Sequence, residues 1–260
     1  MDSRLSLPNS VTVEADGPLR IVTLNRPDQL NAVNAEMHWA LANVWRQIRA
    51  DREAQVVIVT GAGKAFCAGG DFGWLEALGG DAVQQDITID EGGEIITEML
   101  RFPLPVIAAV NGPAVGLGCS VAVMCDIVLI DEKAHMSDPH VAVGLVAGDG
   151  GAAIWPAVTN VLRTKESLFL GSRFTAAEAV EVGLATRVVA NGEAMTEARA
   201  VADKLLALPQ RALQDTKRAI NAHLIKAVAG PMHVALSGER MSMGSPEHAE
   251  LLDKFRPRKP

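Results

Sequence analysis

The sequence predicts an α/β fold that ends in a helical region, and two observations support this prediction. Up to about residue 190, short apolar runs of strand length alternate with segments of helical period. After Glu193, only segments of helical period remain. We therefore predict a core over residues 1–195 and a helical oligomerisation region over residues 196–260, with a boundary near residues 190–196.

The first half of the chain alternates between predicted strands and helices. Residues 11–15 and 20–24 flank the turn signal Asp16-Gly17-Pro18 and predict a hairpin. Apolar side chains at helical spacing predict a helix over 35–51 with Asn34 as its N-cap. The pattern then predicts strands over 56–60 and 106–110, an irregular loop over 72–90, and a helix over 91–101 that prolines end.

The second half is predicted from the same signals. Strands are expected over 126–130, 135–137 and 187–190, and Thr175 with Glu178 predicts a capping box at the start of a helix over 176–182. The other predicted helices cover residues 120–125, 152–161, 165–170, 193–206, 211–227, 232–241 and 246–255.

Composition limits the possible classes of function. The chain has 260 residues, of which 48% are hydrophobic and 21% charged, as in ordinary globular proteins. A net charge of −7 argues against nucleic-acid partners. No stretch predicts a signal peptide or a membrane span. Cys67, Cys119 and Cys125 lie in apolar stretches without zinc-site spacing, which favours buried reduced thiols, no metal and a cytoplasmic location.

Two glycine turns could provide backbone donors for an anionic oxygen. One follows a predicted strand and includes Ala68-Gly69-Gly70, and the other runs from Gly116 to Ser120 at the start of an apolar helix. Helix starts expose N–H groups without internal partners, and the helix dipole adds partial positive charge there. Such groups can stabilise an oxyanion that forms during a reaction.

The order and spacing of several short motifs resemble the crotonase family, also called enoyl-CoA hydratase/isomerase. The motifs are Leu24-Asn25-Arg26-Pro27, Ala65-Phe66-Cys67-Ala68-Gly69-Gly70-Asp71, Pro105 to Gly112 with Gly116 to Asp126, Val143-Gly144-Leu145, and Ala176 to Ala179 with Gly183-Leu184-Ala185. The resemblance implies a ββα spiral with two packed sheets, followed by helices that build a homotrimer or a hexamer. It also implies an acyl-CoA substrate, with coenzyme A as part of that substrate and no separate cofactor.

The resemblance also implies roles for individual residues. The N–H groups of Gly70 and Leu117 would bind the thioester oxygen and stabilise an enolate. Arg26 and the Ala68 carbonyl would contact the nucleotide part of CoA. The basic tail, with Lys254, Arg256, Arg258 and Lys259, would reach a CoA phosphate.

The sequence departs from the pattern of the hydratases at two positions. Where those enzymes keep two glutamates, this chain has Ser120 and His140. His140 could act as a base near neutral pH, or it could be a hydrogen-bonded residue of an unused wall. Asp149 is a second candidate, with capping of the following helix as the favoured alternative. Ser120 is expected to line the pocket or start a helix, and a Ser120–His140–Asp149 triad is a further alternative.

Three functions remain open at this point. The first is an acyl-CoA enzyme of the enoyl-CoA hydratase/isomerase type that works through a thioester enolate. The second is a hydrolase of CoA thioesters or C–C bonds that uses His140 and Asp149. The third is a catalytically weak CoA-ester binding protein. The absence of tyrosine argues against members that use a tyrosine acid, and the sequence leaves the acyl group undetermined.

Overall fold

A six-stranded sheet forms the centre of the computed structural model, which describes residues 7–255. Its strands follow the order β1-β2-β3-β4-β6-β9, and a small second sheet has the order β5-β7-β8. Only the β1–β2 and β7–β8 pairs are antiparallel. The strands are β1 (Val11–Asp16), β2 (Leu19–Leu24), β3 (Val56–Gly61), β4 (Val106–Val110), β5 (Ala114–Val115), β6 (Ile127–Asp131), β7 (His135–Ser137), β8 (Arg173–Thr175) and β9 (Arg187–Val189).

Helices cover this framework and continue to the C-terminal end. Asn34 caps the first of them, and the capping box of Thr175 and Glu178 is present, as predicted. The helices are α1 (Ala35–Ala50), α2 (Phe72–Gly79), α3 (Ala82–Leu100), α4 (Leu117–Val123), α5 (Gly151–Val158), α6 (Val161–Leu170), α7 (Ala176–Val182), α8 (Ala194–Leu206), α9 (Gln210–Met243) and α10 (Pro246–Phe255). The mixed α/β architecture confirms the predicted fold class.

Strands β5 and β8 were not predicted from the sequence, and two helical regions also differ from the prediction. The expected loop over 72–90 is helical, because Asp71 and Asp81 each accept hydrogen bonds from two backbone N–H groups and so start α2 and α3. The two helices expected over 211–227 and 232–241 are one helix, α9, which continues through Pro231. Packing of α9 against α3 and α5 supports the backbone around this proline.

Both faces of the large sheet are buried. Val22, Val57 and Ala108 belong to a core shared with α1 and α3, whereas Ile21, Ile58 and Ile107 pack with Ala198 and Val201 of α8. This alternation follows from the two-residue period of strand side chains. Helix α8 therefore covers one face of the sheet, and an oligomerisation role for residues 196–260 remains a prediction.

The three cysteines are free and buried, as predicted. Burial raises the pKa of the Cys67 thiol to about 12, which keeps it neutral. Between residues 7 and 255, no helix combines the length and the apolar content needed to cross a bilayer.

Candidate active site

One pocket collects most of the predicted site residues. Its empty space is about 860 Å³, the open mouth included. The two glycine turns, α2, α3, α9 and the short 3-10 helix His140–Val143 contribute to its walls. Its polar or backbone-donor lining includes His38, Gly70, Thr88, Leu117, His140, Asp149 and Glu239, and its apolar lining includes Trp74, Leu78, Leu145, Leu236 and Met243.

The first glycine turn leaves the N–H of Gly70 free to face the pocket. Val33 donates its N–H to the Gly69 carbonyl over 2.7 Å, and Asp71 donates its N–H to the Val33 carbonyl over 2.9 Å. This parallel bridge passes over the N–H of Gly70, for which no acceptor is present among residues 7–255. Gly69 has a φ of 90°, which a residue with a side chain rarely adopts.

The second glycine turn places the N–H of Leu117 in the same pocket. Gly116 caps α4 with a φ of 54° and donates its own N–H to the Ser137 carbonyl over 3.0 Å. Leu117 is the first residue of α4, so its N–H has no intrahelical acceptor, and no other described residue accepts it. The structure therefore brings the two predicted donors, from turns 47 residues apart in sequence, to one pocket.

His140 lies between two carboxylates. Its Nδ1 is hydrogen-bonded to Asp138, and its Nε2 lies 3.5 Å from Oδ2 of Asp149. Asp138 also accepts the backbone N–H of His140 over 3.2 Å and has a fully buried side chain. His140 and Asp149 line the pocket and Asp138 does not, so Asp138 positions the imidazole from behind.

These carboxylates determine the charge of His140. Burial alone would lower the pKa of the imidazole, but the negative charges of Asp138 and Asp149 and their hydrogen bonds outweigh burial. The pKa of His140 therefore lies well above its usual value of 6.5. A raised pKa favours the protonated imidazole, so these surroundings suit His140 to donating a proton, and its role as a base stays a prediction from the sequence.

The loop Gly148-Asp149-Gly150-Gly151 is built around polar side chains. A Cβ at position 150 would lie 2.5 Å from Oγ of Ser120, and one at position 151 would collide with the Asp138 carboxylate. The favoured reading of Asp149 as a helix cap is wrong, because Gly150 caps α5 without a side-chain hydrogen bond. Asp149 instead turns toward His140, and its Oδ1 has no partner among the described protein atoms.

Ser120 does not meet His140. It is fully buried inside α4, does not line the pocket, and its Oγ has no hydrogen-bond partner in the described part of the chain. The conceivable Ser120–His140–Asp149 triad is therefore not assembled in this structure. Ser120 instead lies against Gly150, where a larger side chain would displace the loop that carries Asp149.

Glu239 is a site residue that the sequence analysis missed. It lies on the buried face of α9, lines the pocket and accepts the backbone N–H of Asp149. Burial, together with the negative charge of Asp149, raises the pKa of Glu239 well above 4.5, although the nearby His140 opposes this shift. A Cβ at position 148 would collide with the Glu239 carboxyl group, so Gly148 makes the room that this side chain occupies.

The Asp138–His140–Asp149 cluster also has donor types suited to a metal ion, within 4.8 Å of one another. However, the two carboxylates are directed at opposite nitrogens of one imidazole ring. A single ion binds only one ring nitrogen of a histidine. The arrangement therefore fits an ion-paired acid–base cluster better than a metal cradle.

The predicted CoA contacts have different surroundings. The guanidinium of Arg26 is bonded to the Ala32 carbonyl and, over 3.1 Å, to Asp71, so it braces the first glycine turn. Ala68 lines the pocket, and Lys254 is an exposed residue near the end of α10. Arg256, Arg258 and Lys259 lie outside the described residues.

A second histidine–carboxylate pair lies on another wall of the pocket. His38 of α1 is buried, and its Nδ1 lies 2.6 Å from Oε2 of Glu91 on α3. The ring of Trp74 lies 5.3 Å from the His38 ring, centroid to centroid. Glu91 is mostly buried as well, because its side chain is only 16% exposed.

A pocket with two unpaired backbone donors and an ion-paired histidine is the kind of site found in enzymes that act on acyl groups. Comparison with known proteins gives the family. The sequence profile of the family "Enoyl-CoA hydratase/isomerase" matches residues 14–242. The chain belongs to this family, the crotonase family, whose members act on CoA thioesters, and it is an enzyme of the hydratase/isomerase type.

Individual relatives cover most of the chain. A short-chain-enoyl-CoA hydratase of Clostridium acetobutylicum is 33% identical over 214 residues, which are 82% of this chain and 81% of that protein. The crystal structure of an enoyl-CoA hydratase/isomerase from Mycobacterium paratuberculosis is 48% identical, with a TM-score of 0.93 over 96% of this chain and 99% of that one. A monofunctional enoyl-CoA isomerase from M. smegmatis is 27% identical, with a TM-score of 0.69 over 84% and 94%.

Proposed function

We propose that this protein transforms an acyl-CoA thioester through an enolate held by the N–H groups of Gly70 and Leu117. One observation carries the proposal: two N–H groups without acceptors share a pocket with the His140 cluster. A thioester oxygen placed between the two donors gains hydrogen bonds as negative charge develops on it. Each such donor typically contributes about 2.7–4 kcal/mol to stabilisation of the transition state.

In this proposal, His140 and Asp149 divide the proton transfers of a hydration between them. Asp149 lines the pocket, its buried Oδ1 has no hydrogen-bond partner among the described protein atoms, and its carboxyl group accepts a proton from water. The water oxygen bonds to the β-carbon, and the π electrons move into the enolate. His140 then protonates the α-carbon, so water has added across the double bond and the proton on Asp149 is returned to His140.

A double-bond shift uses the same groups in another order. Asp149 removes a proton from the carbon chain, the enolate forms at the two N–H donors, and His140 protonates a different carbon. The Glu239 carboxyl group accepts the backbone N–H of Asp149, and its raised pKa favours the neutral form, which adds no negative charge to the site. The acyl group and the choice between hydration and isomerisation belong to the proposal and are decided by assay.

Hydrolysis of a thioester is the second candidate. It is favoured by the placement of His140 between two carboxylates, since such a histidine can pass a proton to a leaving thiolate. Water would attack the carbonyl carbon while Asp149 accepts its proton. The oxyanion would occupy the same pair of N–H groups, and the CoA thiolate would leave with a proton from His140. Cleavage of a C–C bond next to a carbonyl would use the same groups.

A panel of enoyl- and 3-hydroxyacyl-CoA esters separates these functions. Gain or loss of one water with CoA retained supports hydratase activity, an unchanged mass with a moved double bond supports an isomerase, and free CoA supports a hydrolase. If no ester changes although esters bind, the enzyme proposal fails and the binding-protein alternative stands.

The role of His140 is tested by His140→Gln, which cannot carry the proton. We expect loss of turnover with ester binding retained. The matched control is His223→Gln, because His223 is an exposed histidine on α9 that does not line the pocket. Full turnover by His140→Gln would exclude His140 as the acid.

A further inference from the structure

The His38–Glu91 pair is a second polar group in a pocket whose chemistry is accounted for by other residues. His38 is only 3% exposed, contacts Glu91 and Trp74, and lines the pocket. A carboxylate only accepts hydrogen bonds, so Nδ1 of His38 carries the proton shared with Glu91. No protein partner of Nε2 is present within residues 7–255, which leaves this nitrogen for a ligand.

The position of His38 relates it to the thioester carbonyl. His38 lies in the first turn of α1, and Val33, just before α1, forms the bridge that presents the N–H of Gly70. Since His38, Val33 and Gly70 line one pocket, a ligand oxygen at His38 would belong to the same acyl group as the thioester carbonyl. The neighbouring walls, Trp74 and Leu78, are apolar.

Resting on the proposed function, we infer that the acyl group of the substrate carries a hydroxyl group beyond its β-carbon, which hydrogen-bonds to Nε2 of His38. A hydroxyl group both donates and accepts hydrogen bonds. It therefore pairs with neutral His38 as a donor and with protonated His38 as an acceptor, whereas a carbonyl pairs with the protonated form alone. An unsubstituted chain leaves Nε2 unpaired in an apolar wall, which costs binding energy.

Equilibrium binding tests this inference without turnover. The probes are hexanoyl-CoA and its 4-, 5- and 6-hydroxy derivatives, titrated calorimetrically. We expect one hydroxylated ester to bind about tenfold more tightly than hexanoyl-CoA. If none of the four esters binds, the proposed function fails. If hexanoyl-CoA binds and all hydroxylated esters bind equally or more weakly, only the role of His38 fails.

Two substitutions separate recognition from a merely structural role. Asn at position 38 can still donate to Glu91 but has nothing in the place of Nε2, whereas Gln can reach the place of Nε2. We expect His38→Asn to fold and lose the preference for the hydroxylated ester, and His38→Gln to retain part of it. A preference unchanged in His38→Asn would overturn the inference, as would equal loss in both variants with lowered melting temperatures.

Discussion

Replacing Leu117 by proline tests the proposed oxyanion hole by removing one of its two backbone N–H donors. Leu117 is the first residue of α4, a position where proline is readily accepted because its N–H has no helical partner. Proline restricts the residue before it to an extended conformation. Gly116, with φ 54° and ψ −127°, adopts the mirror image of that conformation, which is accessible to glycine because it has no side chain. The substitution therefore removes the N–H with little change of the backbone.

The side chain of Leu117 is also lost, so a control is needed. Leu117 is 5% exposed, and truncation of such a leucine costs about 2–5 kcal/mol of folding free energy. Leu117→Ala loses the same packing and keeps the N–H. The difference between the proline and alanine variants then isolates the hydrogen-bond donor.

We expect kcat of the proline variant to be about 10²–10³-fold below that of the alanine variant. Gly70 still supplies one donor, so some turnover should remain. The assay is the steady-state rate on the ester that the panel identifies, together with the Kd of hexanoyl-CoA to show that the pocket still binds. Equal kcat values for the two variants, both folded, would refute the assignment of Leu117 as a donor.

Three further predictions concern charge. Asp138→Asn removes one of the two anions that raise the pKa of His140, so the alkaline limb of the pH–rate profile should move to lower pH. Glu239→Gln should weaken the fall of the melting temperature as the pH rises from about 4.5. Because the pKa of Glu239 is higher in the folded than in the unfolded state, the protonated carboxyl group stabilises the fold. This stabilisation is lost as the pH rises through the folded-state pKa. The pKa of His140 is also raised, so its contribution to stability falls in the same way as the pH rises from about 6.5, and His140→Gln serves as a comparison. Lys217→Met should lower the free energy of unfolding in urea by about 1–3 kcal/mol, because it leaves the partly exposed Asp126 carboxylate and the Leu104 carbonyl without the buried ammonium that they share; an unchanged free energy of unfolding would contradict this.

Local signals in the sequence predict much of the fold. Asn34 and the Thr175–Glu178 pair act on backbone groups within three residues, so their caps can be predicted without tertiary information. The same holds for β3 and β4 of the large sheet, whose apolar runs are bounded by Gly61 and by Pro105. The two glycine turns could be placed because their chemistry belongs to the backbone of the turn itself.

The missed features depend on partners far away in the sequence. Asp149 was interpreted as a cap because the sequence does not show that His140 lies across the loop. Glu239 lies 90 residues beyond Asp149 in the sequence. The only local indication of its role is that it stands as a charged residue on the otherwise apolar face of Ala235, Leu236 and Met243. Asp138 had a closer signal, since it stands two residues before His140, where the loop brings its carboxylate to Nδ1.

Helix α9 joins two distant parts of the molecule. Lys217, near its start, is anchored to Asp126 and to the Leu104 carbonyl beneath the central sheet, whereas Glu239, near its end, contacts the backbone of Asp149. The two residues are 22 positions apart, which corresponds to about 33 Å of helix. A chain cut at residue 195 would therefore lose α9 and Glu239 from the wall of its pocket. A shift of α9 along its axis would also move the Glu239 carboxyl group relative to Asp149.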